Sequence, residues 1–152
     1  MAVLDIIKGK DHPVLRSKTK RVAKVTKDIV KLIADMEETT RAAKGAGIAA
    51  PQIARTERVC IAMLQRKLTP LINPRITWRS DEVILAEEGC LSLPDIWIEV
   101  PRAKEILVEF VDVGNRKKQL RLAELDARVV QHEVDHLEGK LIVDYLKDEL
   151  LL

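Results

Sequence analysis

"QHEVDHLEG", residues 131–139, carries two histidines four positions apart with a glutamate directly after the first. On an α-helix, positions i and i+4 share a face, so His132 and His136 can aim both imidazoles at one ion. The surrounding residues keep a helical period from about Ala123. Leu125, Val129, His132 and His136 are spaced four, three and four, which puts them on one face. Ala123, Ala127, Val130, Val134 and Leu137 form a separate apolar stripe that can pack on a sheet. Gly139 is a natural stop. The helix therefore has one face for a core and another for chemistry.

Working outward, most of the remaining periodic segments read as strands. "RVCIAML" (58–64), "PLINPRITWR" (70–79), "DEVILAE" (81–87), "AKEILVEFVDV" (103–113) and "KKQLRLA" (117–123) are rich in β-formers with alternating polarity. Gly114-Asn115 reads as the turn joining the last two. "KLIVDYL" (140–146) reads as a short final strand. A second helix is predicted over 27–43, with Thr26 as its N-cap and Gly45 and Gly47 ending it. Strands with two helices predict an α+β fold, and the 152 residues fit one domain, 1–152.

The composition excludes several classes. The formal net charge of +2 implies no polyanionic partner and no sequence-specific nucleic acid. No apolar run approaches the roughly 18 residues of a membrane helix, so no membrane is expected. "MAVLDIIKGK" is too short in its apolar part to be a signal peptide, and "KDEL" at 147–150 is followed by two leucines. Two cysteines, Cys60 and Cys90, make no disulfide framework, so a reducing cytoplasm is the expected compartment.

A catalytic metal site needs a third protein ligand. His12 lies far off beside a proline. Downstream of the helix stand Glu138, Asp144, Asp148 and Glu149, but the sequence runs just 16 residues past His136. Cys60 falls in a strand-like apolar segment and reads as a small core residue. Cys90 falls in "EEGCLSLP" (87–94), an irregular extended segment marked by Gly89 and Pro94. A thiolate with two imidazoles suits zinc or ferrous iron and leaves a fourth position for water. Cys90 is the expected ligand.

"GAGIAAPQ" (45–52), "EEGCLSLP" (87–94) and "QHEVDHLEG" (131–139) together resemble the three signature motifs of the peptide deformylases. The resemblance spans nearly the whole chain, including "HPVLR" and "LIVDYL". It implies antiparallel strands packed around a central metal-bearing helix. It also implies hydrolysis of the N-formyl group from the formyl-methionine of nascent polypeptides, with the ribosome near its exit tunnel as an expected partner. The metal would be Fe2+, with Zn2+ or Ni2+ able to substitute, held by Cys90, His132 and His136. Such an ion lowers the pKa of water, and Glu133 is placed to take the proton and return it to the leaving amine. The resemblance assigns the oxyanion to Gln52 and the backbone N–H of Leu91.

Gly45 and Gly47 allow close backbone approach to a ligand. Leu125 and Val129 are candidates for the wall of a methionine pocket, with Ala46 and Leu91 nearby by resemblance. Glu88, Arg102 and Asp135 are candidates to orient the imidazoles. Two residues depart from the family pattern and bear on substrate preference. Trp97 stands where an arginine is common, and Arg128 where an apolar pocket residue is usual. Two other readings stay open: a non-catalytic relative with a structural metal, and a short H-E-x-x-H metalloprotease with a downstream third ligand.

Overall fold

The computed structural model describes the backbone of residues 2–150 and the side chains of residues 2–146. Along the chain run α1 (Lys27–Ala42), β1 (Gly47–Ala49), β2 (Val59–Leu64), β3 (Lys67–Arg79), β4 (Val83–Cys90), β5 (Leu93–Ala103), β6 (Glu105–Val111), β7 (Lys117–Ala123), α2 (Glu124–Leu137) and α3 (Val143–Leu150). Short 3-10 turns occupy Pro13–Arg16 and Ala50–Ile53. A five-stranded sheet has the order β1-β2-β3-β6-β7, and β4 and β5 form a separate hairpin; every pairing is antiparallel. This is the α+β architecture the sequence predicts.

β2 explains why the sheet carries a helix on each face. Alternate side chains of a strand point to opposite faces, and here both sets are apolar. Cys60 and Ala62 join Ala127, Val130, Val134 and Leu137 of α2 in one buried cluster. Val59 and Ile61 join Ile29, Leu32, Ile33 and Met36 of α1 in another. The apolar stripe read on α2 thus lies against the sheet, except that Ala123 is exposed at the end of β7. The opposite face of α2 is left for the site. Among the described residues, no helix is long and apolar enough to cross a membrane.

Caps and turns follow the sequence in part. Thr26 Oγ1 accepts a hydrogen bond from the Ile29 N–H at 3.3 Å, as an N-cap should. Asn115 (φ 64°) turns β6 into β7, and Gly139 (φ 77°) follows the last turn of α2. The end of α1 differs from expectation. Lys44, not a glycine, takes the left-handed position (φ 54°). Its N–H donates to Arg41 O and the Gly45 N–H to Thr40 O, both at 3.1 Å, the paired bonds of a Schellman cap.

Three elements depart from the sequence reading. The segment 87–94 is the tip of a hairpin, and its irregularity is a register break between Glu88 and Cys90. β4 runs through Cys90, two residues turn, and β5 begins at Leu93, so Cys90 sits at a hairpin tip with Leu93 as its register partner. β5 went unread because Pro94 and Pro101 interrupt it. Both prolines are exposed, where a missing N–H costs the hairpin little. "KLIVDYL" does not form a strand. Leu141, Ile142 and Tyr145 pack at helical spacing against Leu15, Leu93, Ile98 and Val100. Asp144 Oδ2 also accepts from the Leu141 N–H at 3.0 Å, which fixes the first turn of α3. The short β1, paired with β2, was likewise unread.

A left-handed lysine is strained by about 1–2 kcal/mol, and a glycine there returns part of that as unfolded-state entropy. Lys44→Gly should therefore raise the urea midpoint, with a net gain of about 0.5–1 kcal/mol. An unchanged or lowered midpoint would show that the Lys44 side chain contributes more than its backbone costs.

Candidate active site

α2 and the β4–β5 hairpin meet with three ligand atoms converging. One atom each from Cys90, His132 and His136 lies within 4.8 Å of the others. Cys90 Sγ stands 3.3 Å from His136 Nε2. His132 Nδ1 is 2.8 Å from Glu88 Oε1, which leaves its Nε2 as the ligand atom. A thiolate and two imidazoles suit a divalent zinc or iron ion, and a cavity of about 480 Å³ opens beside them. The donor set therefore fits such an ion. Burial acts to lower both imidazoles. At His132, hydrogen bonds with Cys90 and Glu88 outweigh burial and push the pKa up to about 10. His136 stays well below the usual histidine value.

The other candidates for a third ligand are engaged elsewhere. His12 is exposed and accepts from the Val14 N–H through Nδ1 at 3.3 Å. Glu138 pairs with Arg58 at 3.0 Å, and Asp144 pairs with Arg16 at 2.7 Å. The side chains of Asp148 and Glu149 lie outside the described residues. Cys60 is fully buried, and burial pushes its thiol well above the usual value.

Glu133 lines the cavity yet is only 4% exposed. Its Oε1 is buried without a hydrogen-bond partner, and burial lifts its carboxyl to about 7. Gly47 makes room for it. A Cβ at that position would stand 2.7 Å from Glu133 Oε2 and 2.6 Å from Ile61 O, too close for any other residue. The close approach read for this glycine is thus made by Glu133 itself. Gly45 faces the end of the Leu91 side chain, and Ala46, Leu125 and Val129 line the cavity with them. Leu125 is 70% exposed, so it forms the rim rather than the floor.

Gln52 is buried in the 3-10 turn after β1. Its Oε1 accepts from the Ala49 N–H at 2.9 Å, and its Nε2 donates to Ser92 Oγ at 3.1 Å and lies 3.9 Å from Cys90 Sγ. The carbonyl end is thereby fixed and the amide end turned toward the thiol. Ser92 went unnoticed in the sequence, where a serine in a turn carries no signal. Here it is fully buried and holds Gln52 to the hairpin.

Glu88 accepts from Arg102 through both oxygens at 2.9 Å, and from Arg128 Nη1 at 2.6 Å. Burial raises its pKa, but the bonds from Arg102 and His132 outweigh that and hold the carboxyl well below the usual range. Arg102 continues to Asp135 and to the Tyr145 hydroxyl, which itself donates to Asp135 at 2.6 Å. Arg128, expected to bear on substrate preference, lines the cavity, and its guanidinium also meets Glu88. Trp97 is 66% exposed at the cavity mouth, with its ring lying over Gly89. A Cβ at Gly89 would stand 2.6–2.9 Å from the ring carbons, so the glycine is what lets the indole lie flat.

Known proteins are similar to this chain in sequence and in fold. The sequence model described as polypeptide deformylase matches residues 3–150. A peptide deformylase of Nitrosococcus oceani is 45% identical over 148 residues, 95% of this chain and 87% of that protein. The crystal structure of the Thermotoga maritima peptide deformylase superposes with a TM-score of 0.92 at 37% identity, covering 95% of this chain and 98% of that one. The Ehrlichia chaffeensis peptide deformylase, solved in complex with actinonin, gives 0.92 at 31% identity over 99% and 94%. The chain belongs to the polypeptide deformylase family.

Proposed function

We propose that Cys90, His132 and His136 hold a catalytic metal ion and that Glu133 moves the proton in the reaction of this family, removal of the N-formyl group from nascent peptides. The observation that carries the reading is a thiol and two imidazoles converging beside a buried, unpartnered carboxylate at a cavity. A structural zinc site is usually closed by four protein ligands. Among the described residues three converge, and a cavity lined by Cys90 and His132 opens beside them.

Fe2+ is the ion we propose, with Zn2+ or Ni2+ able to take its place. Bound there, it supplies a Lewis acid that polarises the formyl carbonyl and makes water nucleophilic near neutral pH. Glu133 accepts the proton of the attacking water and passes it to the departing amine, its carboxyl buried at the cavity with Oε1 unpartnered. Gln52 Nε2, immobilised by Ser92 and Ala49, and the Leu91 N–H stabilise the oxyanion. The apolar side chain of the first residue lies against Val129, Leu91, Ala46 and the rim residue Leu125. Formyl-methionyl peptides are the substrates, met in the cytoplasm as they leave the ribosomal exit tunnel. One catalytic domain, 1–152, performs the whole cycle.

Formate release from formyl-Met-Ala-Ser under anaerobic conditions tests the activity directly. Cys90→Ala should abolish tight binding of one cobalt ion per chain, together with its thiolate charge-transfer band, while Cys60→Ala keeps both. A band that survives Cys90→Ala would remove that residue from the ligand set.

Glu133→Ala should keep its metal content and still bind a formyl-methionyl peptide. Its rate should fall by about 10⁴-fold, the upper end for a general acid–base group, because one carboxyl serves both proton transfers. Near-normal formate release from that variant would refute the role.

Trp97 presents an apolar plane at the mouth, so substrates with apolar residues after methionine should be favoured. Trp97→Arg should reverse that ranking while leaving turnover of formyl-Met-Ala near its original value. An unaltered ranking would show that the indole does not meet the peptide.

A further inference from the structure

We infer that Arg128 is a positioning residue for the metal site, clamping Glu88 and the hairpin that bears Cys90 onto the helix that bears both histidines. The inference rests on the metal-site reading above and goes beyond it, since Arg128 belongs to none of the three motifs. An arginine on α2 that merely lined the cavity would turn its guanidinium to solvent. This one is 12% exposed at its side chain and spends its donors on the hairpin. Nη1 reaches Glu88 Oε2 at 2.6 Å and Val100 O at 3.0 Å, and Nη2 reaches Ile84 O at 2.6 Å.

The arrangement matters because Arg128 and His132 are one helical turn apart on the same face. They grip opposite oxygens of one carboxylate: His132 takes Glu88 Oε1 and Arg128 takes Oε2. A carboxylate tied to a helix at two points cannot swing about either bond, so the His132 ring plane is fixed by the fold. The carbonyls of Ile84 and Val100 belong to β4 and β5, so the same guanidinium sets the hairpin's distance from α2. That distance is the separation of Cys90 from the two imidazoles. Arg102 also joins the hairpin to α2, but through Asp135; from the helix side, Glu88 itself is held by Arg128 and His132. Charge points the same way: Arg102 and Arg128 both pair with Glu88 while Arg102 also serves Asp135, so removing Arg128 takes away the guanidinium that faces Glu88 alone.

Cobalt binding tests this without relying on turnover. The unmodified chain should bind one cobalt ion with a Cys90-dependent thiolate band. Arg128→Met, which keeps the apolar stem, should weaken cobalt affinity about 10- to 100-fold, the usual loss when a group supporting a metal ligand is removed. It should also shift the thiolate band and leave the KM for formyl-Met-Ala-Ser nearly unchanged while kcat falls. Arg128→Lys, which keeps a cation but cannot reach all three acceptors, should recover part of the affinity and covers the case in which Arg128→Met does not fold. In a Glu88→Gln background, Arg128→Met should cost little further affinity, because the two act as a unit. Unchanged cobalt affinity and band in Arg128→Met or Arg128→Lys, with only the urea midpoint lowered, would reduce Arg128 to a structural residue. Fully additive losses with Glu88→Gln would overturn the shared clamp. Failure of the unmodified chain to bind cobalt would instead defeat the metal-site reading, and this inference with it.

Discussion

A carboxylate taken out of water costs several kcal/mol unless charged donors surround it. Glu88, 7% exposed, is surrounded: two oxygens receive Arg102 twice, Arg128 once and His132 once. Those partners come from β5 and α2, and Arg102 extends the set to Tyr145 of α3. Stripping a buried carboxylate of its partners typically costs about 3–5 kcal/mol, and here three side chains share that compensation. The hairpin, the central helix and the C-terminal helix are therefore held in mutual register by one ion-pair network. The candidate site lies at its edge, so its geometry inherits that rigidity.

The apolar framework solves a different problem. β2 buries both faces, which forces a helix onto each side of the sheet, and α2 can then spare its remaining face for polar chemistry. Glu133 is where the two requirements meet. It follows His132 on the helix and turns against β1, where Gly47 alone leaves room for a carboxylate beside the Ile61 carbonyl. The cost is an unpartnered buried oxygen. Such a group persists where it is put to use.

What the sequence disclosed depended on whether a residue's role is periodic or relational. α2 was legible because two periods overlie one another, an apolar stripe and a histidine face, and its partner Cys90 because two imidazoles demand a third donor. The fold class followed from the strand-rich segments between the two helices. β5 was not legible, since Pro94 and Pro101 mask an alternation in which Ile98, Val100 and Arg102 point inward. α3 was misread because Leu, Ile, Val and Tyr favour strands locally, while packing on Leu15 and Val100 decided for a helix. Ser92, the left-handed Lys44 and the bond from Arg128 to Glu88 were missed for a common reason. Each acts through a partner far away in sequence or through a backbone angle, and neither is written in the residue type.

The three pieces of the candidate site are each seated mainly by a different force. The histidine helix is seated by apolar burial against β2. The Gln52 turn is seated by hydrogen bonds to Ala49 and Ser92. The Cys90 hairpin is seated by the charges of Glu88, Arg102 and Arg128. Its tip, however, carries Trp97 over Gly89 and faces the cavity mouth, outside all three. Variation at that exposed ring can alter which peptide enters without disturbing a ligand atom, because no hydrogen bond or ion pair of the buried network passes through it. Arg128 lines the same cavity and has no such freedom, since each of its acceptors is part of what fixes the thiol and imidazole in place.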